Sequence, residues 1–455
     1  MQRALSIDRS PPLALSLPFF LNVPLFGLLA SILAACTGPE LFTSRWHPAA
    51  LALTHAWTLG VLGSAMLGSL LHILAVAANV RLALPRAMSL ALWGLLSAGT
   101  LLLIMGFMTW QRWTWLLAAL SLGAALAAYL GVMAGALWRQ RRQVFPGARE
   151  ILTPVRLALA FLGLTLLSGL AMLLALGLDR PVPNLLDNHV AWGLGGWAGL
   201  LLMAMSFQLL PIFQVTELYP RPLVRWLPWT LAGLLLARWA LEPLPGPWLP
   251  LRELLQYLIL LSYALWAIVT WIRLWRRKRP KADVSTLFWY SALASLLACV
   301  PLGFWLNTPA GQGSALSIGI LLIMGALGSA VSGMLYIIVP FLLWREAQQA
   351  VPFDADKPEQ TRELLRLVPK TGHYMPQSAA RWHWVLHSTA VLVWALAALG
   401  GRVFAWMAAP VLFLSFAVLA RNLWTAWRRY RECLSAIAAY APTRDTGAGP
   451  RCPES

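Results

Sequence analysis

A spaced glycine pattern occurs three times in this chain, and the intervals between copies constrain the architecture more than any other feature. Gly60-Val61-Leu62-Gly63, Gly196-Trp197-Ala198-Gly199 and Gly325-Ala326-Leu327-Gly328 align without gaps. Eight residues after each first glycine stands Gly68, Ala204 or Gly333, and twelve after stands His72, Gln208 or Ile337. The copies are 136 and 129 residues apart. Intervals of that length hold several helices, so the repeating unit is larger than a hairpin. Small residues on a helix in lipid let neighbouring backbones approach closely. The three glycine-bearing helices are therefore expected to line the interior.

The surroundings of the pattern are apolar. Hydrophobic residues make up 59% of the chain and charged residues 11%, with a mean hydropathy of +0.67. Many runs exceed the roughly 20 apolar residues that cross a bilayer as a helix. The alternation of a membrane β-barrel is missing, and helices are the other way to satisfy a backbone in lipid. The sequence predicts an all-α membrane protein. Spans are expected at about 13–35, 50–79, 87–108, 113–137, 155–178, 188–215, 226–243, 250–274, 284–307, 314–344, 383–400 and 403–426, about twelve in all. The glycine pattern falls on spans 2, 6 and 10, so the expected fold is three pseudo-threefold arcs of four helices. The units are about 13–137, 155–274 and 284–426 within one membrane domain, residues 1–440. A mixed-charge, proline-containing loop at 346–381 reads as a connector with a short helix near Gln360–Leu367, and 441–455 as a disordered tail.

The net charge of +18 comes from arginines placed in alternate loops. With the termini, one side holds 29 of the 35 basic residues and the other holds Arg45, Arg112, Arg180, Arg238, Arg252 and Arg402. Such a split orients a membrane protein with its basic loops in the cytoplasm, here with both termini inside. It also removes nucleic acid as a partner, since no folded basic domain lies outside the membrane. The lipid bilayer is the one partner that composition demands. Few lysines beside abundant arginine, leucine, alanine and tryptophan suggest a GC-rich bacterial genome and an inner membrane. Cys36, Cys299, Cys433 and Cys452 show no CxxC or CxxCH spacing, so no zinc, iron–sulfur or c-type haem motif is present.

Ionisable groups inside spans are the functional candidates. His55 lies within span 2, where it reads either as an axial haem ligand or as a neutral imidazole bonded to a neighbouring helix. His189 opens span 6 after Asp187 and Asn188, and reads as a metal or haem ligand oriented by that carboxylate, or as part of a helix cap. The two stand five and seven residues before their repeat glycines, and so on different helix faces. Gln208 could donate to a cofactor or bond to span 10. His72 is 17 residues from His55, about 25 Å along a helix, so it belongs to another site. With His383 and His387, four residues apart on span 11, it could form an inner metal site; the alternative is that these histidines are interface anchors beside Trp382 and Trp384. Arg238, Glu242, Arg252 and Glu253 read as an ion-pair cluster closing the hairpin of spans 7 and 8.

Twelve spans in threefold arcs with histidines on spans 2 and 6 resemble subunit I of the haem–copper oxidases. Leu53-Thr54-His55-Ala56-Trp57-Thr58-Leu59-Gly60, Ser206-Phe207-Gln208-Leu209-Leu210-Pro211 and Met334-Leu335-Tyr336-Ile337-Ile338-Val339-Pro340-Phe341 look like a bacterial group related to that subunit. In that family helices 2 and 10 ligate a low-spin haem and helix 6 begins the copper site. The resemblance thus implies an axial ligand of haem b at His55 and a place in the copper position for His189. Haem b is the first cofactor it implies, copper the second and no cofactor the alternative, with other membrane or periplasmic redox proteins as partners. Span 10, however, has no histidine, span 7 has no His-His pair, and Gly193 stands where many oxidases carry a tyrosine. A binuclear centre cannot be built from these residues, so neither oxygen nor nitric oxide reduction by the family mechanism is expected. The resemblance implies a non-canonical relative that binds haem or copper for electron relay, nitric oxide response or metal handling. A small-solute transporter, or a cofactor-free assembly or structural protein, stands as the alternative.

Overall fold

A computed structural model describes residues 11–78, 80, 82, 84–141, 149–244, 246–306, 315–352 and 358–440. The basic lead before residue 11 and the expected tail 441–455, with Cys452, lie outside the described residues. Those residues form helices and connecting turns, with no strand among them. Ten helices are long and apolar enough to cross a membrane.

In chain order, α1 is Leu17–Thr37. α2 has three consecutive pieces, Pro48–His55, Ala56–Gly63 and Ser64–Ala78. α3 is Arg86–Thr109, α4 Arg112–Arg139 and α5 Arg149–Gly177. α6 comprises Leu186–Val190, Ala191–Gly199 and Leu200–Phe213. α7 is Arg221–Ala240, α8 Leu249–Trp275 and α9 Val284–Leu306. α10 comprises Ala315–Ile320, Leu321–Gly328 and Ser329–Gln349. A short α11, Pro358–Leu367, precedes α12, Gln377–Ala398, and α13, Arg402–Tyr440. The expected spans 7 and 11 are α7 and α12, which are helical but more polar than the other ten.

The middle pieces of α2, α6 and α10 are π-helical, and each contains one copy of the glycine pattern. Such segments are rare and lose regular i→i+4 bonds. Glycine matters here because of a close approach. A methyl group on Gly60 would overlap the Phe26 ring of α1, and one on Gly196 would overlap Phe161 of α5. At Gly325 it would strike Ser295 of α9.

Packing follows a repeated order. α1 lies on α2, α5 on α6 and α9 on α10; α4 lies on α5, α8 on α9, and α13 on α1. The π segments of α2 and α6 both touch that of α10. A polar clasp recurs as well. Trp93 Nε1 of α3 donates to Asn22 Oδ1 of α1 (2.9 Å), and Asn22 Nδ2 donates to Ser97 Oγ (2.9 Å) and Ser64 Oγ (3.0 Å). Trp384 Nε1 of α12 donates to Ser291 Oγ of α9 (2.9 Å), which lies 3.2 Å from Ser388 Oγ. Both clasps use a Trp-x-x-x-Ser step on one helix and a polar residue four positions before a repeat contact on the other (Asn22 and Phe26, Ser291 and Ser295).

The connector after α10 docks on the rest of the fold rather than hanging free. Leu364, Val368, Tyr374 and Met375 join the hydrophobic core, and α11 packs on the C-terminal part of α13. Arg429 donates to the His373 carbonyl there.

Candidate metal site at His55 and His189

His55 ends the first α-helical piece of α2, and His189 lies in the first turn of α6. Their ring centres are 6.5 Å apart and the ring planes are inclined by 30°. His55 Nδ1 lies 2.8 Å from the Leu51 carbonyl, one turn back on its own helix. His189 Nδ1 lies 3.1 Å from the Thr165 carbonyl and 3.1 Å from Ser168 Oγ, both on α5. A carbonyl can only accept, so in each ring Nδ1 carries the proton. The Ser168 hydroxyl is within 2.9 Å of the Leu164 carbonyl and 3.0 Å of the Thr165 carbonyl, so its own hydrogen is spent there and its oxygen accepts from His189. Burial among apolar helices disfavours the imidazolium, and in the neutral ring with Nδ1 protonated the lone pair lies on Nε2. Metal-ligating histidines are commonly oriented in this way, the far nitrogen donating to a backbone carbonyl.

The walls hold both rings in place. Phe107 of α3 stacks on His55 with ring centres 5.1 Å apart, and Trp115 of α4 meets Phe107 edge-on at 5.0 Å. Gly169 leaves room for His189; a methyl group there would stand 3.0 Å from the ring's Cε1. Two metal–nitrogen bonds of about 2 Å each set ring centres roughly 6 Å apart when the ligands lie on opposite sides of an ion. The observed separation fits that arrangement.

Asp187 does not orient His189. It is exposed, and no side chain caps the start of α6; the orienting groups come from α5 instead. Asn188 is buried and donates to the Glu242 carboxylate. Glu242 thus joins α6 to the end of α7, and the expected pairing with Arg238 gives way to this amide contact. Among the described residues the sequence reading missed Thr165, Ser168, Gly169 and Phe107. Two hydroxyl residues three apart in the apolar stretch that follows Arg156 were the available signal.

The other candidates lie elsewhere. Gln208 is buried on α6, 19 residues beyond His189 and so roughly 28 Å away along the helix. His72 is buried beside Pro11 and Arg345 in the last piece of α2. His383 and His387 are fully buried on α12 against Phe288, Tyr336 and the π segment of α10. An interface anchor would face the headgroups, so the anchor reading does not hold for these two. Nor does His72 join them: among the described residues no group of three or more His, Cys, Asp or Glu side chains is placed to hold a metal. No protein-family model matches the sequence, and no curated protein is significantly similar to it.

Proposed function

We propose that this is a multi-pass membrane protein of three equivalent four-helix units, related in plan to haem–copper oxidase subunit I. In this reading it holds one metal ion, as haem iron or as copper, between His55 and His189 and lacks the binuclear centre that reduces oxygen. The units are α1–α4, α5–α8 and α9, α10, α12, α13, with α7 and α12 as further spans and both termini in the cytoplasm of a bacterial inner membrane. Three recurrences support the plan: the π segments, the aromatic ring of α1 or α5 seated on a repeat glycine, and the Trp-x-x-x-Ser clasp. The polar character of α7 and α12 fits helices that carry Arg225 and Arg238, or Arg381, His383 and His387.

The observation that carries the metal reading is the His55–His189 pair itself, with both Nδ1 protons committed and both Nε2 atoms bare. Bound there, haem iron or copper would supply one-electron chemistry. The chain's own part is to present two neutral imidazoles, fix their orientation through Leu51, Thr165 and Ser168, and shield one face with Phe107. Exchange of electrons with another membrane or periplasmic redox protein follows from that chemistry. Transport along α2, α6 and α10 has less support. The cavity between them is almost wholly apolar, lined by residues such as Met66, Met205, Trp289 and Met334, and offers a polar solute little replacement for its water.

The test is an absorption spectrum and metal analysis of the detergent-purified protein from haem-replete, copper-fed cells. A Soret band or stoichiometric copper, lost in both His55→Ala and His189→Ala, supports the reading. A colourless, metal-free protein overturns it and leaves a structural or assembly role.

A further inference from the structure

The turn between α8 and α9 concentrates positive charge. Six of the nine residues from Arg273 to Lys281 are basic. Glu217 pairs with Arg273, and Asp283 lies 3.0 Å from Arg279. Asp283 is further committed to Gln214 Nε2 (3.1 Å) and to the Thr286 amide (2.9 Å) at the start of α9. Among the described residues no carboxylate pairs with Arg276, Arg277, Lys278 or Lys281. Arg276, Lys278 and Lys281 are exposed, as are Arg221 and Arg225 in the first two turns of α7.

The turn is fastened to its neighbours. The Lys278 amide donates to the Val215 carbonyl (3.1 Å) and Arg279 Nη1 to the Phe213 carbonyl (3.2 Å), which ties it to the end of α6. Arg277 Nη1 donates to the Leu274 carbonyl at 3.1 Å and lies 3.4 Å from Tyr290 Oη of α9. A backbone already fixed loses little freedom when a ligand arrives. An apolar stripe leads to the same place. Leu258, Leu261, Leu265, Ile268, Ile272 and Trp275 are exposed along α8 at alternating steps of three and four, and so share one face of it. Arg276 follows Ile272 by one further turn, at the foot of that stripe. A phosphate free in water would use the cations alone, whereas a phosphate attached to hydrocarbon uses both.

We propose that this end of α8 binds an anionic phospholipid, with its phosphate at Arg276, Lys278 and Lys281 and an acyl chain along the α8 stripe. Basic clusters directly beyond a membrane helix attract headgroups of net negative charge. A zwitterionic headgroup brings its own cation and gains less from the same residues. Trp275, the most exposed of the stripe at 76%, stands between charge and hydrocarbon, the level that tryptophan favours in a bilayer. The inference rests on the membrane placement proposed above and is independent of the metal.

The test titrates the detergent-purified full chain with phosphatidylglycerol, and with phosphatidylcholine of the same acyl chains, and counts bound lipid by native mass spectrometry. Wild type is expected to bind phosphatidylglycerol at least about fivefold more tightly, the share of roughly one basic residue near a membrane surface. The triple variant Arg276→Gln, Lys278→Gln, Lys281→Gln is expected to lose that preference. Arg362→Gln with Arg366→Gln removes two exposed charges on α11 and should keep it. If the triple variant does not fold, a phosphatidylglycerol with a photoreactive acyl chain decides on the wild type. Adducts on the 258–275 stripe of α8 support the site, and adducts spread evenly over the exposed helices overturn it. Equal affinity for the two lipids, or a preference that survives in the triple variant, also overturns it. Full competition by glycerol phosphate does so too, and makes this a site for soluble phosphate. A chain that alkaline carbonate strips from the membrane fraction refutes the membrane placement instead.

Discussion

His55 and His189 lie with ring centres 6.5 Å apart although 134 residues of chain separate them. Neither helix end makes the site alone. α5 supplies the groups that orient one ring and α3 supplies the ring that stacks on the other. Removing Ser168 should therefore matter even though it touches no metal. Loss of such an orienting partner typically weakens metal affinity by about 10–100-fold. Ser168→Ala is expected to fall in that range with its thermal unfolding temperature nearly unchanged, as read by metal or haem titration. Gly169→Ala should weaken binding too, because its methyl group would press on His189 Cε1. Wild-type affinity in both variants would remove α5 from the site.

The glycines of the π segments make a steric prediction. Gly196→Ala places a methyl group into the Phe161 ring, and overpacking of this kind costs about 1–3 kcal/mol. The thermal midpoint in detergent should fall, and Phe161→Ala in the same chain should recover part of the loss. Gly60→Ala with Phe26→Ala should behave alike. If the double variants are simply additive, the ring and the glycine are not in contact.

Asn22 is the hub of the first polar clasp, with three side-chain hydrogen bonds to Ser64, Trp93 and Ser97. Individual interhelical bonds in membranes average about 0.6 kcal/mol, so three amount to roughly 2 kcal/mol. Asn22→Leu should destabilise the protein by about that much. A double-mutant cycle with Trp93→Phe isolates the indole's share, and zero coupling would dismiss the clasp as a stabilising contact.

Tyr219, in the turn before α7, is buried and bonded to Thr270 Oγ1 at 3.1 Å. Burial pushes its phenol up to about 12, with smaller opposing effects from Ser206, Thr270 and Arg273. The folded state thus keeps the proton above the ordinary value near 10. The stability this provides is complete below about pH 10 and is lost as pH rises from there towards 12. Midpoints measured between those limits should fall more steeply in wild type than in Tyr219→Phe. Equal slopes would show that another group controls the alkaline limb.

Thiol accessibility tests the proposed orientation. Cys36, next to the C-terminal end of α1, is exposed, whereas Cys299 and Cys433 are buried; the proposed orientation puts that end of α1 outside. A membrane-impermeant maleimide added to intact spheroplasts should label the wild type but not Cys36→Ser. Labelling that appears only after lysis would invert the topology.

Much of the architecture is determined by the sequence alone, because lipid leaves the backbone few choices. Long apolar runs became helices close to where they were read, and the short helix expected near Gln360–Leu367 appears as Pro358–Leu367. The glycine pattern marked the three helices that carry π segments, since only glycine permits the approach of Phe26 and Phe161 at those points. What the sequence could not decide was which side chains meet. His55 and His189 were legible as candidates, yet their different offsets from the repeat glycines gave no hint that they lie together. His383 and His387 read as surface anchors because their tryptophan and arginine neighbours hide the face that α9 and α10 cover. Such pairings depend on the rotation of one helix against another and on the register shift of each π segment. A sequence records periodicity along a helix, and only tertiary packing turns that periodicity into a particular face against a particular neighbour.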